Sequence, residues 1–186
     1  MRIIGGDAKG RPVLFPGKSK ARPTADRVKA SLFDILSPVR GKTILDVFAG
    51  SGNIGLEALS RGAIQAVFIE KETTLVDYIR RNLRQCRFEG NYEVLNMETA
   101  KAIPFLQKKE ARFDIVFADP PYEAGLVEQT YAWLRDGRLF AEEGILVMQH
   151  SVREEPVCAP AGPLVLFDQR RYGDTLLSFL NCQKGN

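Results

Sequence analysis

The sequence predicts a doubly wound α/β fold, a mostly parallel sheet with helices on both faces. Three observations carry that expectation. From Lys42 onward, short apolar runs alternate with segments of helical period. One apolar run, Ile44 to Ala49, enters the glycine turn Gly50-Ser51-Gly52-Asn53-Ile54-Gly55. Another, Phe113-Asp114-Ile115-Val116-Phe117-Ala118, enters Asp119-Pro120-Pro121-Tyr122. Alternation of this kind builds parallel sheets, and turns after the carboxyl ends of their strands collect in one ligand-binding crevice.

Taken in order, Arg2-Ile3-Ile4 and Pro12-Val13-Leu14-Phe15 are short apolar runs joined by a linker with Gly5, Gly6 and Gly10, which reads as a small β-hairpin or arm. Residues 16–22 are rich in Pro, Gly, Lys and Ser, the composition of a loop. Thr24 is placed to cap a helix whose apolar face is Val28, Leu32, Ile35 and Leu36. Strands are then expected near 43–48, 66–70, 92–96, 113–118 and 144–149, and helices near 53–61, 73–86, 99–108 and 126–135. The end differs. Residues 164–167 and 175–180 are apolar and are separated by Arg170-Arg171-Tyr172-Gly173-Asp174, so an antiparallel hairpin closes the sheet. The expected division is a basic extension over 1–40 and a main domain over 41–186.

At 186 residues the chain is long enough for a substantial core. With 45% hydrophobic and 26% charged residues it falls outside the disordered, collagenous and membrane classes. The net charge of +3 is mild, but its distribution is not. Residues 1–42 hold Arg2, Lys9, Arg11, Lys18, Lys20, Arg22, Arg27, Lys29, Arg40 and Lys42 against Asp7, Asp26 and Asp34. A basic arm on a near-neutral body suits a polyanionic partner. Arg22, Arg27 and Lys29 lie near a helix start, where cations oppose the helix dipole, so an external anion is a reason for them alongside simple solvation. Cys86, Cys158 and Cys182 form no C-x-x-C pair and read as reduced thiols. With no apolar leader at Met1 and no run of membrane-spanning length, a cytoplasmic protein is expected.

The glycine turn fits G-x-G-x-x-G between a strand and a helix. Glycines allow positive φ and close approach of a ligand to the backbone, and the helix start offers free N–H groups. Glu70, ending the next strand, is placed to accept from two ribose hydroxyls. Both nicotinamide dinucleotides and S-adenosylmethionine suit this pattern. Asp46 favours the second. A carboxylate there repels a pyrophosphate but pairs with the ammonium of a methionine moiety. Glu98, after the third strand, adds a further acid.

The Asp119 turn suggests the reaction. An exocyclic base amine is a weak nucleophile because its lone pair is delocalised into the ring. Two acceptors on its N–H groups localise that pair, and the Asp119 carboxylate and Pro120 carbonyl are suited to this. Pro121 rigidifies the turn. Tyr122 is suited to stack on a base held out of its helix. Asp119 also faces the positive charge that develops as a methyl group arrives.

At these residues the chain resembles the class I S-adenosylmethionine-dependent methyltransferases, and more closely the bacterial family known as RsmD. That family methylates the exocyclic 2-amino group of a guanine in small-subunit (16S) ribosomal RNA. The resemblance spans nearly the whole chain. It includes Arg2-Ile3-Ile4-Gly5-Gly6, Gly10-Arg11, the run from Arg22 to Lys29, Leu45 to Gly52, Gly55 to Ala63, and Asp119 to Tyr122. It implies a Rossmann-like sheet of seven strands, the last antiparallel and inserted beside the fifth. It further implies that Asp46, Gly50 and Gly52 line the methionine end, that Glu70 holds the ribose, and that Met97 and Glu98 lie by the adenine. Similar proteins often have Asp where Glu98 stands. Phe48, Ala49, Ser51, Lys71 and Asp119 complete the implied cofactor contacts, with no metal. The implied partner is ribosomal RNA or a small-subunit assembly intermediate. From their charge, Arg2, Arg11, Arg22, Arg27 and Lys29 of the basic arm are expected to meet its phosphates, and Arg170 and Arg171 either to touch RNA or to cap the sheet. A monomer is expected.

Other residues read more plainly. His150, the only histidine, has no triad partners nearby in sequence and reads as structural. Trp133, at helical spacing from Leu126 and near Tyr131, reads as core. Three rival functions share the fold: an amino-methyltransferase of DNA or another RNA, a nicotinamide-dependent oxidoreductase, and a non-catalytic RNA-binding protein.

Overall fold

The computed structural model describes residues 1–17, 23–121, 125–154 and 162–183. After helix α1 (Pro23–Ile35) the chain alternates: β1 (Thr43–Val47), α2 (Asn53–Ser60), β2 (Gln65–Glu70), α3 (Thr73–Gln85), β3 (Tyr92–Asn96), α4 (Thr99–Lys108), β4 (Phe113–Ala118), α5 (Leu126–Leu134) and β5 (Phe140–Ser151). It ends in the hairpin β6 (Leu164–Tyr172) and β7 (Thr175–Cys182). The strands form one sheet in the order β3-β2-β1-β4-β5-β7-β6. β1 to β5 are parallel, and β7 runs antiparallel between β5 and β6. Among the described residues no helix is long and apolar enough to cross a membrane.

Period-2 alternation splits the strands between two cores. Ile44, Phe68, Ile115 and Val147 face α1, α2 and α3, while Leu45, Val67, Val116 and Leu146 face α4 and α5. The same alternation puts Asp46, Asp119 and Gln149 on the α1–α3 side, each two positions beyond a buried apolar residue of that face, Ile44, Phe117 and Val147. The order of strands reverses between β1 and β4, so the site belongs at their carboxyl ends.

The N-terminal segment is docked rather than free. Ile3, Ala8 and Val13 are buried in the α1–α3 core. The expected hairpin forms as a short arm without regular strands: Arg2 and Pro12 make one antiparallel bridge, flanked by backbone hydrogen bonds from the Ile3 N–H to the Arg11 carbonyl at 2.9 Å and from the Val13 N–H to the Met1 carbonyl at 3.0 Å. Gly6 has φ +69, and a Cβ there would lie 1.7 Å from the Ser60 carbonyl oxygen, so only glycine lets the segment meet the end of α2 so closely.

Two boundaries differ from expectation. β6 continues to Tyr172, so Arg170 and Arg171 are strand residues paired with Leu177 and Leu176, and only Gly173-Asp174 turns. β6 is an edge strand, and its exposed polar side chains look like loop when alternation is sought. β5 begins at Phe140, ahead of the polar stretch Ala141-Glu142-Glu143. Helix α1 starts at Pro23; the Thr24 side chain lies outside the described residues. Cys86 and Cys182 are buried thiols, and Cys158 lies outside the described residues.

Candidate functional site

Strand register brings the two turns together. Val47 pairs with Ala118, so Phe48 and Asp119 leave adjacent strands side by side. Val47 also pairs with Ile69, which puts Glu70 level with Phe48. Ala118 pairs with Met148, which puts Gln149 level with Asp119.

The glycine turn is fixed from below. Glu70 is buried and its carboxylate accepts the Gly50 N–H at 2.9 Å and the Glu72 N–H at 2.8 Å. Each oxygen keeps a lone pair for a ligand hydroxyl. Gly50 has φ +58 with nothing near its missing Cβ, so it opens space above the backbone. Gly52, at φ +80, starts α2. Gly55 serves packing: a Cβ there would meet the Phe68 ring at 2.3 Å. Phe48 holds φ 62, costly for a bulky residue and the kind of strain found at ligand sites.

Asp46 is 2% exposed and accepts the Gly55 N–H at 2.9 Å. Burial pushes its carboxyl up to about 8; the Gly55 hydrogen bond opposes this, while Asp119 and Glu70 add to it. Burial also pushes Asp119 up to about 7, against a hydrogen bond from Gln149. Two acids held partly neutral in one crevice are the state expected of groups awaiting a cation or a donor.

Two cavities open here. The first, of about 690 Å³, is lined by Glu70, Leu75, Glu98, Leu126, Gln129 and Trp133, among others. The second, of about 610 Å³, is lined by Met1, Phe15, Asn53, Gln149, Tyr172 and Asp174, with Asp46 and Ala49 to Ser51 at its base. Phe48 and Asp119 border both. Each cavity is of small-molecule size, roughly 300–1,000 Å³.

Of the expected cofactor residues, Phe48, Glu70, Lys71, Glu98 and Asp119 line the first cavity, and Asp46, Ala49, Gly50 and Ser51 line the second. Gly52 underlies the turn. Met97 faces a neighbouring groove with Lys71 and Glu98. Pro120 and Pro121 line the first cavity beside Asp119; Tyr122 lies outside the described residues.

The expected nucleic-acid contacts divide. Arg2, Arg27, Arg170 and Arg171 are exposed. Arg11 is partly buried and donates to the Gln85 carbonyl at 2.8 Å. Arg22 lies outside the described residues. Lys29 is a correction: it is 2% exposed, and its Nζ donates to the Arg2 carbonyl at 2.6 Å and Asn53 Oδ1 at 2.8 Å, with the Glu57 carboxylate at 3.1 Å. All three protons are engaged, which leaves none for a phosphate. Burial lowers its pKa, opposed by Glu57.

Trp133 is half-buried: it packs against the core on the α4–α5 side, as expected, and also lines the first cavity with Leu126 and Gln129. The signal was present, since 126, 129 and 133 share one helical face, whereas the core face of α5 is Val127, Tyr131 and Leu134. Gln149, a polar residue near the end of β5, joins the second cavity with no sequence motif to mark it. Its neighbour His150 is fully buried, with Nδ1 against the Ser151 carbonyl at 3.0 Å and Nε2 against Ser178 Oγ at 2.8 Å, a structural placement.

A family model described as conserved hypothetical protein 95 matches residues 1–181. Ribosomal RNA small subunit methyltransferase D of Escherichia coli K12 is 40% identical over 162 residues, 87% of this chain and 80% of that one. The chain belongs to the RsmD family. The protein of that name from Haemophilus influenzae is 34% identical over 164 residues, 86% of this chain and 83% of its own. Among solved structures, yhhF of Escherichia coli superposes on this RsmD-family chain with a TM-score of 0.83 at 34% identity, covering 100% of this chain and 99% of that one. An RNA methyltransferase from Salinibacter ruber, in complex with S-adenosyl-L-homocysteine, shares the fold at a TM-score of 0.66 and 13% identity, over 89% of this chain and 96% of that one. The architecture is the Rossmann-like class I methyltransferase fold.

Proposed function

We propose that the chain transfers a methyl group from S-adenosylmethionine to the exocyclic 2-amino group of a guanine in small-subunit (16S) ribosomal RNA. The observation that carries this reading is the meeting of two cavities at Asp119 and Phe48. Such a reaction needs a donor and an acceptor held separately and brought into contact at one point. The relatives named above, ribosomal RNA small subunit methyltransferases, support the substrate class.

The residues present fit the cofactor. Asp46, buried without a cation, suits its ammonium, Glu70 its ribose hydroxyls, and Leu75, Glu98 and Trp133 the adenine end of the first cavity. When bound, S-adenosylmethionine supplies an electrophilic methyl on a sulfonium. Asp119 and the Pro120 carbonyl accept the two N–H groups of the guanine amine and localise its lone pair. Gln149 holds the Asp119 carboxylate in place through its hydrogen bond. The ionised carboxylate stabilises the charge growing on nitrogen and is an acceptor for the proton lost.

The exposed Arg2, Arg27, Arg170 and Arg171, with Arg11 and Arg22, are proposed to meet RNA phosphates, the N-terminal extension to residue 40 acting as the RNA-contacting part. The test is transfer of labelled methyl from S-adenosylmethionine to 16S RNA, supplied bare and within small subunits. Label in either RNA is the expected result. Binding of S-adenosylhomocysteine without label in either would move the target to DNA or another RNA, and failure to bind it would overturn the cofactor assignment.

A further inference from the structure

Two buried polar side chains join the N-terminal segment to the glycine turn, and neither has a part in the chemistry above. Asn82, on α3, is fully buried. Its Oδ1 accepts the Leu14 N–H at 2.8 Å, and its Nδ2 donates to the Leu14 carbonyl at 2.9 Å and to the Ser51 carbonyl at 3.0 Å. Lys29, on α1, donates to the Arg2 carbonyl at 2.6 Å and to Asn53 Oδ1 at 2.8 Å. Ser51 and Asn53 flank Gly52, the left-handed residue that opens α2.

Both links therefore run from the backbone of residues 2 and 14 to the two residues on either side of one glycine. Neither link has slack. Asn82 uses both amide protons and its oxygen, and Lys29 uses every proton it has once Glu57 is counted. Displacing the N-terminal segment leaves buried polar groups unpaired beside the turn, and displacing the turn does the same to the segment. The segment also shares a cavity wall with the turn, since Met1 and Phe15 line the second cavity together with Ser51 and Asn53.

We propose that Lys29 and Asn82 are positioning residues that make the shape of the glycine turn depend on a docked N-terminal segment, so that RNA bound by the segment and cofactor bound by the turn strengthen each other's binding. The identity of the two ligands rests on the function proposed above. Linkage makes the effect reciprocal: the factor by which RNA tightens the cofactor is the factor by which the cofactor tightens RNA.

Two measurements on full-length wild type, Lys29→Met and Asn82→Ala test this. The first is hydrogen exchange without ligand. Faster exchange in residues 1–15 and 50–56 together, with β4 and β5 unchanged, is expected in both variants. Exchange that rises everywhere, or in the N-terminal segment alone, overturns the proposal. The second is the affinity for S-adenosylhomocysteine with and without saturating 16S RNA. In the wild type RNA should tighten it about five- to tenfold, and in Lys29→Met that factor should fall close to one. An equal factor in variant and wild type overturns the coupling. If the wild type itself binds no S-adenosylhomocysteine, the cofactor assignment has failed, and the exchange result alone decides this proposal.

Discussion

Position 46 holds a carboxylate that is 2% exposed at the wall of the second cavity, with two other acids close enough to raise its pKa. Its folded value of about 8 stands above the ordinary 3.8. The sign follows from linkage. Asp46 contributes stability that is fully present below its unfolded pKa and is lost as pH rises through its folded pKa, so the ligand-free protein weakens between about pH 4 and 8. In the proposed site the cofactor ammonium would reverse the preference and expel the proton. Binding of S-adenosylhomocysteine at pH 7 should therefore release about one proton, seen calorimetrically as a heat that differs between phosphate and Tris buffers. Identical heats in the two buffers would contradict the pairing. Asp46 and Asp119 are legible from sequence because one lies within and the other directly follows an apolar strand whose period and length are plain. The burial of Lys29 was not. A lysine in a basic run looks solvated, and what buries it is Glu57, a charge 28 positions along the chain that also accepts the Ile4 N–H at 2.8 Å and the Arg61 Nε–H at 2.9 Å.

The glycine turn and α2 act as one element, and their glycines are not equivalent. Gly50 gives open space, whereas Gly55 lets α2 lie against Phe68, which is fully buried. Gly55→Ala drives a methyl group into that ring without any backbone strain from φ, and overpacking of this kind costs about 1–3 kcal/mol. Thermal unfolding should show a clear fall in melting temperature, and a wild-type melting temperature would refute the packing role. Sequence showed the motif but not this division of labour, because the partner ring lies on the neighbouring strand. The same limit explains β6 and α5. Exposed charges on an edge strand read as loop, and the place of Trp133 on a cavity wall shows only once the opposite face of α5 is seen to be filled by Val127, Tyr131 and Leu134.

Across the whole molecule, the order β3-β2-β1-β4-β5-β7-β6 puts the site between β1 and β4 and brings the β6–β7 turn to the same end as the N-terminal segment. Tyr172 hydrogen-bonds Ser31, tying hairpin to α1 at the rim of the second cavity. The strand rhythm made the parallel half of this sheet readable, and the resemblance supplied the inserted last strand, which no local pattern encodes. Exposed Arg27 stands on α1, next in sequence to Val28, which lines the second cavity. Arg27→Ala should weaken RNA binding irrespective of sequence and flatten the salt dependence by about one unit of slope; an unchanged slope in a filter-binding titration would remove Arg27 from the interface.

The central claim is that Asp119, where the two cavities meet, serves transfer to a guanine 2-amino group. Nucleoside analysis of 16S RNA from small subunits treated with wild type and with Asp119→Ala tests it most directly. N2-methylguanosine at a single position is expected with the wild type, and a rate lower by about 10²–10³-fold with Asp119→Ala at unchanged affinity for S-adenosylhomocysteine. Methyl on a ring nitrogen or a ribose oxygen, or an Asp119→Ala enzyme as fast as the wild type, would contradict it.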